Sequence, residues 1–283
     1  MAIETLRGLR ILIKYKPDVV VGFGGYTAGI VTLLAALMRS KTIIHEQNVI
    51  PGRTNKFLDR FADKVAISFY ETKKYFKNKN VIFTGNPLRK ESLEQCRAYA
   101  VDKFGLNREK FTVLIMGGSQ GASSLNDLVS KSLNILPYEK KEQLQVIHIT
   151  GPMDLQRFRD YYERNNITAK VFGFIEKINE AYSACDLAIS RSGAAAIFEL
   201  AAFAKPMILI PYPHPKNNQR FNAIFFAEKN AALYRNEATL SEDELEDLIT
   251  QLMDNEFMRK TLSGNAKKLS VVNGAEKLRG LVC

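Results

Sequence analysis

The sequence has no apolar segment long enough to cross a lipid bilayer. Its longest apolar run, residues 30–38, stops at Arg39, whereas a membrane-spanning helix needs about 20 such residues. The amino terminus also lacks the apolar core and the cleavage site of a secretory signal, because Arg7 and Arg10 follow Met1 closely. We therefore expect neither an integral membrane protein nor a secreted one.

Cysteine and the usual metal-binding motifs are scarce. The three cysteines, Cys96, Cys185 and Cys283, are far apart and odd in number. They form neither a disulfide framework nor a metal-binding pattern, which fits a reducing cytoplasm. No Asp-x-Asp tripeptide occurs, so a carboxylate-held metal for a nucleotide diphosphate has no obvious ligands.

Acidic residues are rare in the first third of the chain. Residues 1–90 contain 16 Lys and Arg but only 6 Asp and Glu, and this segment accounts for the whole net charge of +10. The asymmetry indicates an anionic partner for this segment: nucleic acid, a phospholipid surface or a diphosphate substrate. A basic face that is merely solvated is the simpler alternative.

What the sequence does contain is a repeated alternation of short apolar strands and helices. Strands are predicted near residues 19, 42, 65 and 81, and a second series begins at Phe111. Helices are predicted between them, at 2–15, 26–38, 52–62, 123–136, 153–164, 175–184 and 194–203. Such alternation is typical of parallel sheets with helices on both faces. The first helix should be amphipathic, with Ile3, Leu6, Leu9 and Ile13 on one side.

The most informative stretch is residues 190–222, in which a strand, a helix and a polar loop follow one another. Ser192 is predicted to cap the helix that begins near Ala194, whose first turn would offer backbone amides to an anion. Glu199 is an acid among apolar neighbours, and a pair of sugar hydroxyls is one candidate partner for it. The loop then brings Asn218, Gln219 and Asn222, whose amides suit sugar hydroxyls. An ordinary strand–helix–strand unit is the alternative.

Two further loops follow predicted strands. The loop Gly117-Gly118-Ser119-Gln120-Gly121-Ala122 leads into a helix, but it is neither a dinucleotide-binding fingerprint nor a P-loop. It suits a single diphosphate. The polar cluster of residues 45–48 stands where ligands bind in a parallel sheet, and residues 84–89 read as a linker that ends in a cation.

With these motifs the chain resembles the MurG family of bacterial glycosyltransferases. The resemblance rests on six stretches that keep the family's order: KPDVVVGFGGYTAG (16–29), HEQNVIPGRTNKFL (45–58), GNPLR (85–89), GGSQGA (117–122), FIEKINEAYSACDLAISRSGAAAIFEL (174–200) and PYPHPKNNQRFNA (211–223). It implies an α/β fold of the GT-B type, with two Rossmann-like domains facing across a cleft. We expect a partial acceptor- and membrane-facing domain at 1–88 and a donor-binding domain at 89–283.

The resemblance also implies roles for individual residues toward a uridine-diphosphate sugar. Ser119 would hold the diphosphate, Arg89 would reach the donor, Ile175 would meet the uracil, and Glu199 would bind the ribose. Gln219 and Asn218 would bind the sugar, and Asn48 would approach it from the first domain. The residues that would line the nucleotide are Ala194, Ala195, Ala196, Ile197, Phe198 and Glu199.

The implied reaction is an inverting transfer of N-acetylglucosamine from UDP-N-acetylglucosamine to the muramyl 4-hydroxyl of an undecaprenyl-diphosphate-linked muramyl-pentapeptide. It implies no cofactor, no metal and no nucleic acid. The resemblance further implies a peripheral protein on the cytoplasmic face of the bacterial inner membrane, where the basic first third would meet anionic lipid.

The chain departs from the family pattern at its start and in two donor contacts. The family's opening strand and histidine-bearing loop have no counterpart before Lys16, so the first domain is predicted to be incomplete and the chain to transfer sugar poorly. His45 is the one local candidate for a base, although a histidine at a strand end is more often structural. Ala196 and Asn218 replace a hydroxyl residue and a glutamine of the pattern. A UDP-sugar 2-epimerase and a non-catalytic UDP-sugar-binding fragment are the alternatives.

Overall fold

The computed structural model describes residues 2–88, 96–118, 121–214 and 218–283. It divides into two compact units. The first unit comprises residues 1–88 and 271–283, and the second comprises residues 89–270.

The first unit is built on a four-stranded parallel sheet. Its strands lie side by side in chain order: β1 (Val19–Gly22), β2 (Lys41–Glu46), β3 (Lys64–Ile67) and β4 (Val81–Phe83). The helical segments of this unit are α1 (Ala2–Tyr15), α2 (Tyr26–Leu37), α3 (Arg53–Leu58), a 3-10 helix (Tyr70–Tyr75) and, at the carboxyl terminus, α13 (Gly274–Val282).

The second unit is built on a six-stranded parallel sheet with the order β10-β9-β8-β5-β6-β7. The strands are β5 (Phe111–Met116), β6 (Leu144–Ile149), β7 (Ala169–Phe172), β8 (Leu187–Ser190), β9 (Met207–Leu209) and β10 (Leu233–Tyr234). The helices are α4 (Arg97–Lys103), α5 (Ser123–Ile135), α6 (Tyr138–Gln143), α7 (Leu155–Arg164), α8 (Ile178–Ala184), α9 (Ala194–Ala202), α10 (Gln219–Glu228), α11 (Glu242–Asp254) and α12 (Glu256–Leu269).

The core of the second unit explains why its strands are almost wholly apolar. Strands β5, β6 and β8 are central, and their residues are buried over nearly their full length. Leu125 and Val129 of α5 pack onto this sheet in one cluster with Leu245 and Ile249 of α11. Strands that are covered on both faces need apolar residues at consecutive positions, whereas half-exposed strands alternate.

The predicted α/β class with two parallel-sheet domains is confirmed. Two helices are shorter than predicted by three residues or more. Helix α3 ends at Leu58, and the carboxylate of the following Asp59 accepts the backbone N–H groups of Lys77 and Asn78 at 2.7 and 3.1 Å. Helix α8 begins at Ile178, because the preceding residues connect it to the end of β7.

The carboxyl terminus corrects the predicted domain boundary. Residues 271–283 belong to the first unit, not to the second as the sequence suggested. Leu278 of α13 packs in a cluster with Ile43 and Ala66 of the four-stranded sheet. The Lys64 ammonium also donates to the carbonyl oxygen of Leu281 at 3.1 Å. The terminal helix therefore covers apolar surface that strands β2 and β3 would otherwise expose.

Two glycines of α13 provide a matched test of this packing. A Cβ atom added at Gly274 would lie 2.5 Å from the carbonyl oxygen of Asn86, whereas one added at Gly280 would meet nothing within 4 Å. We expect Gly274→Ala to destabilise the first unit by about 1–3 kcal/mol through overpacking. Gly280→Ala should stabilise it by up to about 1 kcal/mol through helix propensity.

Urea titrations of the two variants measure both effects. Equal free energies of unfolding for Gly274→Ala and Gly280→Ala would contradict the close approach of α13 to residue 86.

Candidate functional site

The order of the strands singles out one position at the carboxyl edge of the six-stranded sheet. The chain proceeds from β5 to β6 and β7 on one side, then returns to β8 on the other side of β5. The loops after β5 and β8 therefore leave the sheet in opposite directions, and Met116 and Ser190 lie opposite each other at the ends of these strands. Open α/β sheets bind ligands at such a switch point.

The loop after β5 is held in a form that requires glycine. Gly118 and Gly121 have φ angles of +108° and +79°, which other residues rarely adopt. A Cβ atom at Gly121 would lie 2.2 Å from the carbonyl oxygen of Thr150, at the end of β6. The same oxygen accepts a hydrogen bond from the Asn126 side chain at 2.9 Å. Gly121 thus lies directly against the neighbouring strand end before helix α5 begins.

Two helices start at the switch point without a side-chain cap. Their N-cap residues are Ala122 for α5 and Gly193 for α9, and neither makes a side-chain capping hydrogen bond. The first-turn amides of both helices have no acceptor within the helix and carry the positive end of the helix dipole. The arrangement suits an anion that spans the ends of both helices.

The helix beginning at Ala194 agrees with the sequence prediction, but the predicted cap is wrong. The hydroxyl of Ser192 donates to the backbone carbonyl of Gln219 at 2.9 Å instead of capping α9. The backbone carbonyl of Ser192 in turn accepts from the Asn222 amide at 3.2 Å. Asn222 is fully buried, so its side chain fastens α10 to the loop after β8. The prediction that it faces a ligand is wrong.

Glu199 is held by a tyrosine that the sequence analysis did not identify. The Tyr182 hydroxyl, on α8, donates to Glu199 Oε2 at 2.8 Å. Burial raises the pKa of Tyr182 well above its usual value, and the nearby Glu199 carboxylate raises it further. The tyrosine therefore stays protonated and fixes one carboxylate oxygen. Tyr182 and Glu199 are separated by strand β8. A buried aromatic residue at that spacing from an acid is too common for the sequence to reveal this pair.

The remaining nucleotide-lining predictions fall at different depths. On α9 the exposed residue is Ala195, while Ala196 and Glu199 are half-buried. Ala194, Ile197 and Phe198 are buried and belong to the packing of the helix. Ile175 is half-buried in the connection between β7 and α8, at the same edge of the sheet.

The polar loop after β9 leads directly into α10. Asn218 is the N-cap residue of α10, Gln219 is its first residue, and both are half-buried. The side-chain oxygen of Gln219 accepts the backbone N–H of Tyr212 at 3.1 Å, which closes the loop on itself. These two residues therefore have a defined backbone position beside the loop after β8.

In the first unit, Glu46 organises the loop that carries Asn48. One carboxylate oxygen of Glu46 accepts the backbone and side-chain N–H groups of Asn48, at 2.9 and 3.0 Å. The other oxygen accepts from Gly52 N at 3.0 Å and from the Asn55 amide at 2.8 Å. A buried carboxylate with four donors fixes a loop firmly. The side chain of Asn48 is thus directed toward Glu46.

His45 is a buried structural residue in this conformation. Its side chain is fully buried, and Nε2 lies 3.2 Å from the carbonyl oxygen of Gly85 and 3.5 Å from the Ser68 hydroxyl. Burial lowers the pKa of His45, and this effect outweighs the opposing influences of the Gly85 carbonyl and of Glu46. The imidazole thereby ties the end of β2 to the turn after β4.

Comparison with known proteins identifies the family. The sequence matches the glycosyltransferase family 28 N-terminal domain over residues 2–67 and the corresponding C-terminal domain over residues 112–278. It is 38% identical, over 98% of its length and 77% of the relative's, to the UDP-N-acetylglucosamine--N-acetylmuramyl-(pentapeptide) pyrophosphoryl-undecaprenol N-acetylglucosamine transferase of Halalkalibacterium halodurans. The chain belongs to glycosyltransferase family 28.

Solved structures agree with this assignment. The crystal structure of Acinetobacter baumannii MurG has a TM-score of 0.78 and 30% sequence identity, covering 98% of this chain and 76% of that one. The resemblance to the MurG family is therefore confirmed. A UDP-N-acetylglucosamine 2-epimerase structure reaches a TM-score of 0.72 at 13% identity, with 99% of this chain and 76% of that one covered, which indicates a shared fold only.

Within this family 28 chain, the structure brings most of the predicted donor residues to one sheet edge. Arg89 and Ser119 lie outside the described residues. Over the ranges that the structure covers, no three His, Cys, Asp or Glu side chains are grouped so that they could hold a metal ion. In the same ranges no helix is both long and apolar enough to span a membrane.

A chain of buried polar side chains supports the glycine loop from below. The ring of His148 lies between the Tyr162 hydroxyl, 2.9 Å from Nδ1, and Asn126 Oδ1, 3.1 Å from Nε2. The Asn126 amide donates onward to Asp154 Oδ2 at 3.1 Å. Burial lowers the pKa of His148 to about 3, against a small opposing effect of Asp154. The imidazole therefore stays neutral in the folded protein.

This pKa predicts how stability depends on pH. The folded-state pKa of about 3 lies below the ordinary value of 6.5, so the unfolded chain binds the extra proton. The free energy of unfolding therefore decreases as the pH falls below 6.5, and above pH 6.5 the His148 side chain has no effect on it. The slope in the second unit should reach about 1.4 kcal/mol per pH unit, and His148→Gln should remove it.

Urea titrations of the second unit between about pH 6.5 and 5 measure this slope. The matched control is His214→Gln, which replaces an exposed histidine of the same unit and should leave the slope unchanged. An identical slope in the parent protein and in His148→Gln would contradict the burial argument.

Proposed function

We propose that this protein transfers N-acetylglucosamine from UDP-N-acetylglucosamine to the muramyl 4-hydroxyl of an undecaprenyl-diphosphate-linked muramyl-pentapeptide, a step of peptidoglycan synthesis. The activity is that of the family 28 relative named above. The observation that carries the proposal is the pair of uncapped helix N-termini at the switch point of the second unit. That feature suits the diphosphate of a nucleotide sugar, both in the bound donor and in the nucleoside diphosphate that leaves.

The diphosphate would sit where α5 and α9 begin. Its charge would face the first-turn amides of Ala194 and Ala195 on one side and the glycine loop on the other. These dipoles are fixed before the reaction, so they stabilise charge that develops on the leaving group without reorganisation. Ser119 and Arg89 remain predictions for the same anion, and a guanidinium at residue 89 would suit it.

The nucleoside and the sugar would occupy the two sides of the diphosphate. Glu199, oriented by Tyr182, would accept the ribose hydroxyls, while Ile175 would meet the uracil through its backbone. Gln219 and Asn218 would bind hydroxyls of the N-acetylglucosamine. The attacking 4-hydroxyl displaces the diphosphate at the anomeric carbon, so the C–O bond to the leaving group breaks as the new glycosidic bond forms.

The predicted roles of Asn48 and His45 need refinement. Asn48 is held through its amide by Glu46, so a sugar contact would use its side-chain oxygen or a rearranged loop. His45 is fully buried, and a base must come within hydrogen-bond reach of the proton it removes. We therefore assign the His45 side chain to tying the end of β2 to the turn after β4, and we do not assign it as the base.

Product analysis tests the transferase against the alternatives. UDP release should depend on the lipid-linked acceptor, and the product should carry the N-acetylglucosamine. A 2-epimerase would instead convert the UDP-sugar without acceptor, and a binding fragment would release no UDP. Epimerisation, or donor binding with no acceptor-dependent release, would refute the proposed reaction.

The ribose contact gives a sharper prediction. Glu199→Gln should weaken UDP-N-acetylglucosamine binding by about 1–3 kcal/mol, because the charged acceptor for two hydroxyls is lost. Tyr182→Phe should weaken it less, since only the orientation of the carboxylate changes. Calorimetry measures both, with Glu228→Gln at the end of α10 as a control. Unchanged affinity in a folded Glu199→Gln protein would refute this contact.

We also propose that the first unit binds anionic membrane surfaces. Helix α1 leaves an apolar stripe open, with Leu6 and Ile13 exposed to 65% and 55%, although the helix buries Leu12 on its other side. Exposed Arg7 and Lys14 lie beside that stripe. An amphipathic helix with cations beside its apolar face lies in the interface of anionic bilayers.

A second basic feature of the same unit supports this proposal. A cavity of about 640 Å³ is lined by Lys56, Arg60 and Lys77 together with Tyr75. The Lys56 ammonium lies 5.3 Å from the centre of the Tyr75 ring. The one acid in the lining, Asp59, accepts backbone N–H groups. The cations of the cavity are thus available to lipid phosphates.

Flotation with phosphatidylglycerol and phosphatidylcholine vesicles tests the membrane proposal. Binding should require phosphatidylglycerol and fall with added salt, because exposed charges are screened over about 10 Å at 0.1 M salt. Leu6→Ser with Ile13→Ser should reduce binding. Phe257→Ser, which removes a residue of the second unit that is 81% exposed, should not. Equal binding to both lipids at all salt concentrations would contradict the electrostatic part.

A further inference from the structure

Arg191 is a buried cation at the switch point to which the sequence analysis assigned no role. It follows β8 directly, and only 5% of its side chain is exposed. Its backbone N–H donates to the carbonyl oxygen of Met116 at the end of β5, at 3.2 Å. An arginine in such a position needs several acceptors, because an unpaired buried charge is very costly.

The guanidinium finds these acceptors on three different segments. It makes a two-pronged ion pair with Glu237, at 2.5 and 3.1 Å. It donates to the carbonyl oxygens of Ile210 and Pro211 at 3.2 and 3.0 Å, and to the Ser124 hydroxyl at 3.1 Å. Arg191 thus joins the start of α5, the end of β9 and the loop after β10.

These segments are the ones that would bind the two halves of the donor. Ser124 is in the first turn of α5, where the diphosphate is proposed to bind. Ile210 and Pro211 open the loop that leads to Gln219, the proposed sugar contact. One guanidinium and its carboxylate partner therefore connect the segments that would form the diphosphate and sugar subsites.

We infer that Arg191 and Glu237 are positioning residues of the donor site that fix the sugar-binding loop relative to the diphosphate-binding helix. The inference rests on the proposed function. Both side chains are almost fully buried, so they act through the segments they join and not by touching the donor. The planar fork of arginine is needed, because an ammonium cannot reach carbonyl, hydroxyl and both carboxylate oxygens in one plane.

The inference predicts a specific change in ligand preference. When the ion pair between Arg191 and Glu237 is weakened, the helix ends that bind UDP stay intact. The sugar-binding loop, however, loses its fixed position relative to those helix ends. In Glu237→Gln the dissociation constant for UDP-N-acetylglucosamine should rise about tenfold, while that for UDP rises less than about threefold. Arg191→Lys should behave similarly.

Calorimetry with UDP and with UDP-N-acetylglucosamine tests this, using three variants of the full chain. Glu237→Gln is the main variant. Ser124→Ala removes only the link to α5, so it remains informative if loss of the buried pair prevents folding, and it should shift the ratio of the two affinities in the same direction. Glu244→Gln is the control, because it removes an exposed ion pair with Arg235 from a nearby position and should leave both affinities unchanged.

The outcomes separate the two proposals. A parent protein that binds neither ligand would refute the proposed function and this inference with it. A parent protein that binds both ligands, with the same affinity ratio in Ser124→Ala and in folded Glu237→Gln, would overturn the inference alone. Lower thermal stability without a change in that ratio would mark the pair as purely structural.

Discussion

A parallel sheet places the carboxyl ends of all its strands at the same edge, and the rest of the second unit follows from this constraint. Because β5 pairs with β6 on one side and with β8 on the other, the loops after β5 and β8 leave the sheet in opposite directions. The helices after β5 and β8 then begin side by side with uncapped amides. Glycine at residue 121 is required because the loop lies against the neighbouring strand end. The proposed anion site is thus a consequence of topology before any side chain is considered.

Side chains then stabilise this edge in two layers. At the strand ends, the buried side chains of Arg191 and Ser192 fasten the loops after β8 and β9 to each other. Deeper in the unit, His148 bonds to Asn126, and Asn126 holds the carbonyl oxygen of Thr150, against which Gly121 lies. Burying polar groups is costly unless they are hydrogen-bonded, and these contacts supply most of the partners. Their role is to hold backbone amides and loop residues in fixed positions, which suits a site that relies on preorganised dipoles.

The first unit uses a different solution at its own sheet edge. There a single carboxylate, Glu46, accepts three donors from the loop that follows β2 and a fourth from Asn55 of α3. His45, beside it, is buried and tied to the turn after β4. Both residues belong to the motif that the sequence analysis treated as a ligand-facing cluster. In the structure the Glu46 side chain shapes the loop, the His45 side chain is tied to Gly85, and Leu6 and Ile13 of α1 are among the exposed apolar residues of the unit.

Local sequence determined the fold class, the order of strands and helices, and the family. Apolar strands, glycine turns and helix periodicity act between near neighbours, so the sequence contains them directly, and the start of α9 at Ala194 was predicted for this reason. The roles of single motif residues come from the resemblance to the family and stay predictions. Glu199 was singled out because an acid within an apolar helix is visible without a structure.

Tertiary structure alone decided which polar residues are partners. The sequence could not show that Ser192 bonds to the loop after β9, that Asn222 is buried, or that Tyr182 holds Glu199, because each pair is distant in the chain. The same holds for Arg191 and Glu237, which are 46 residues apart, and for α13, which packs on the first unit. Such contacts depend on which strand ends and helices each sheet brings together, and no local sequence pattern encodes that arrangement.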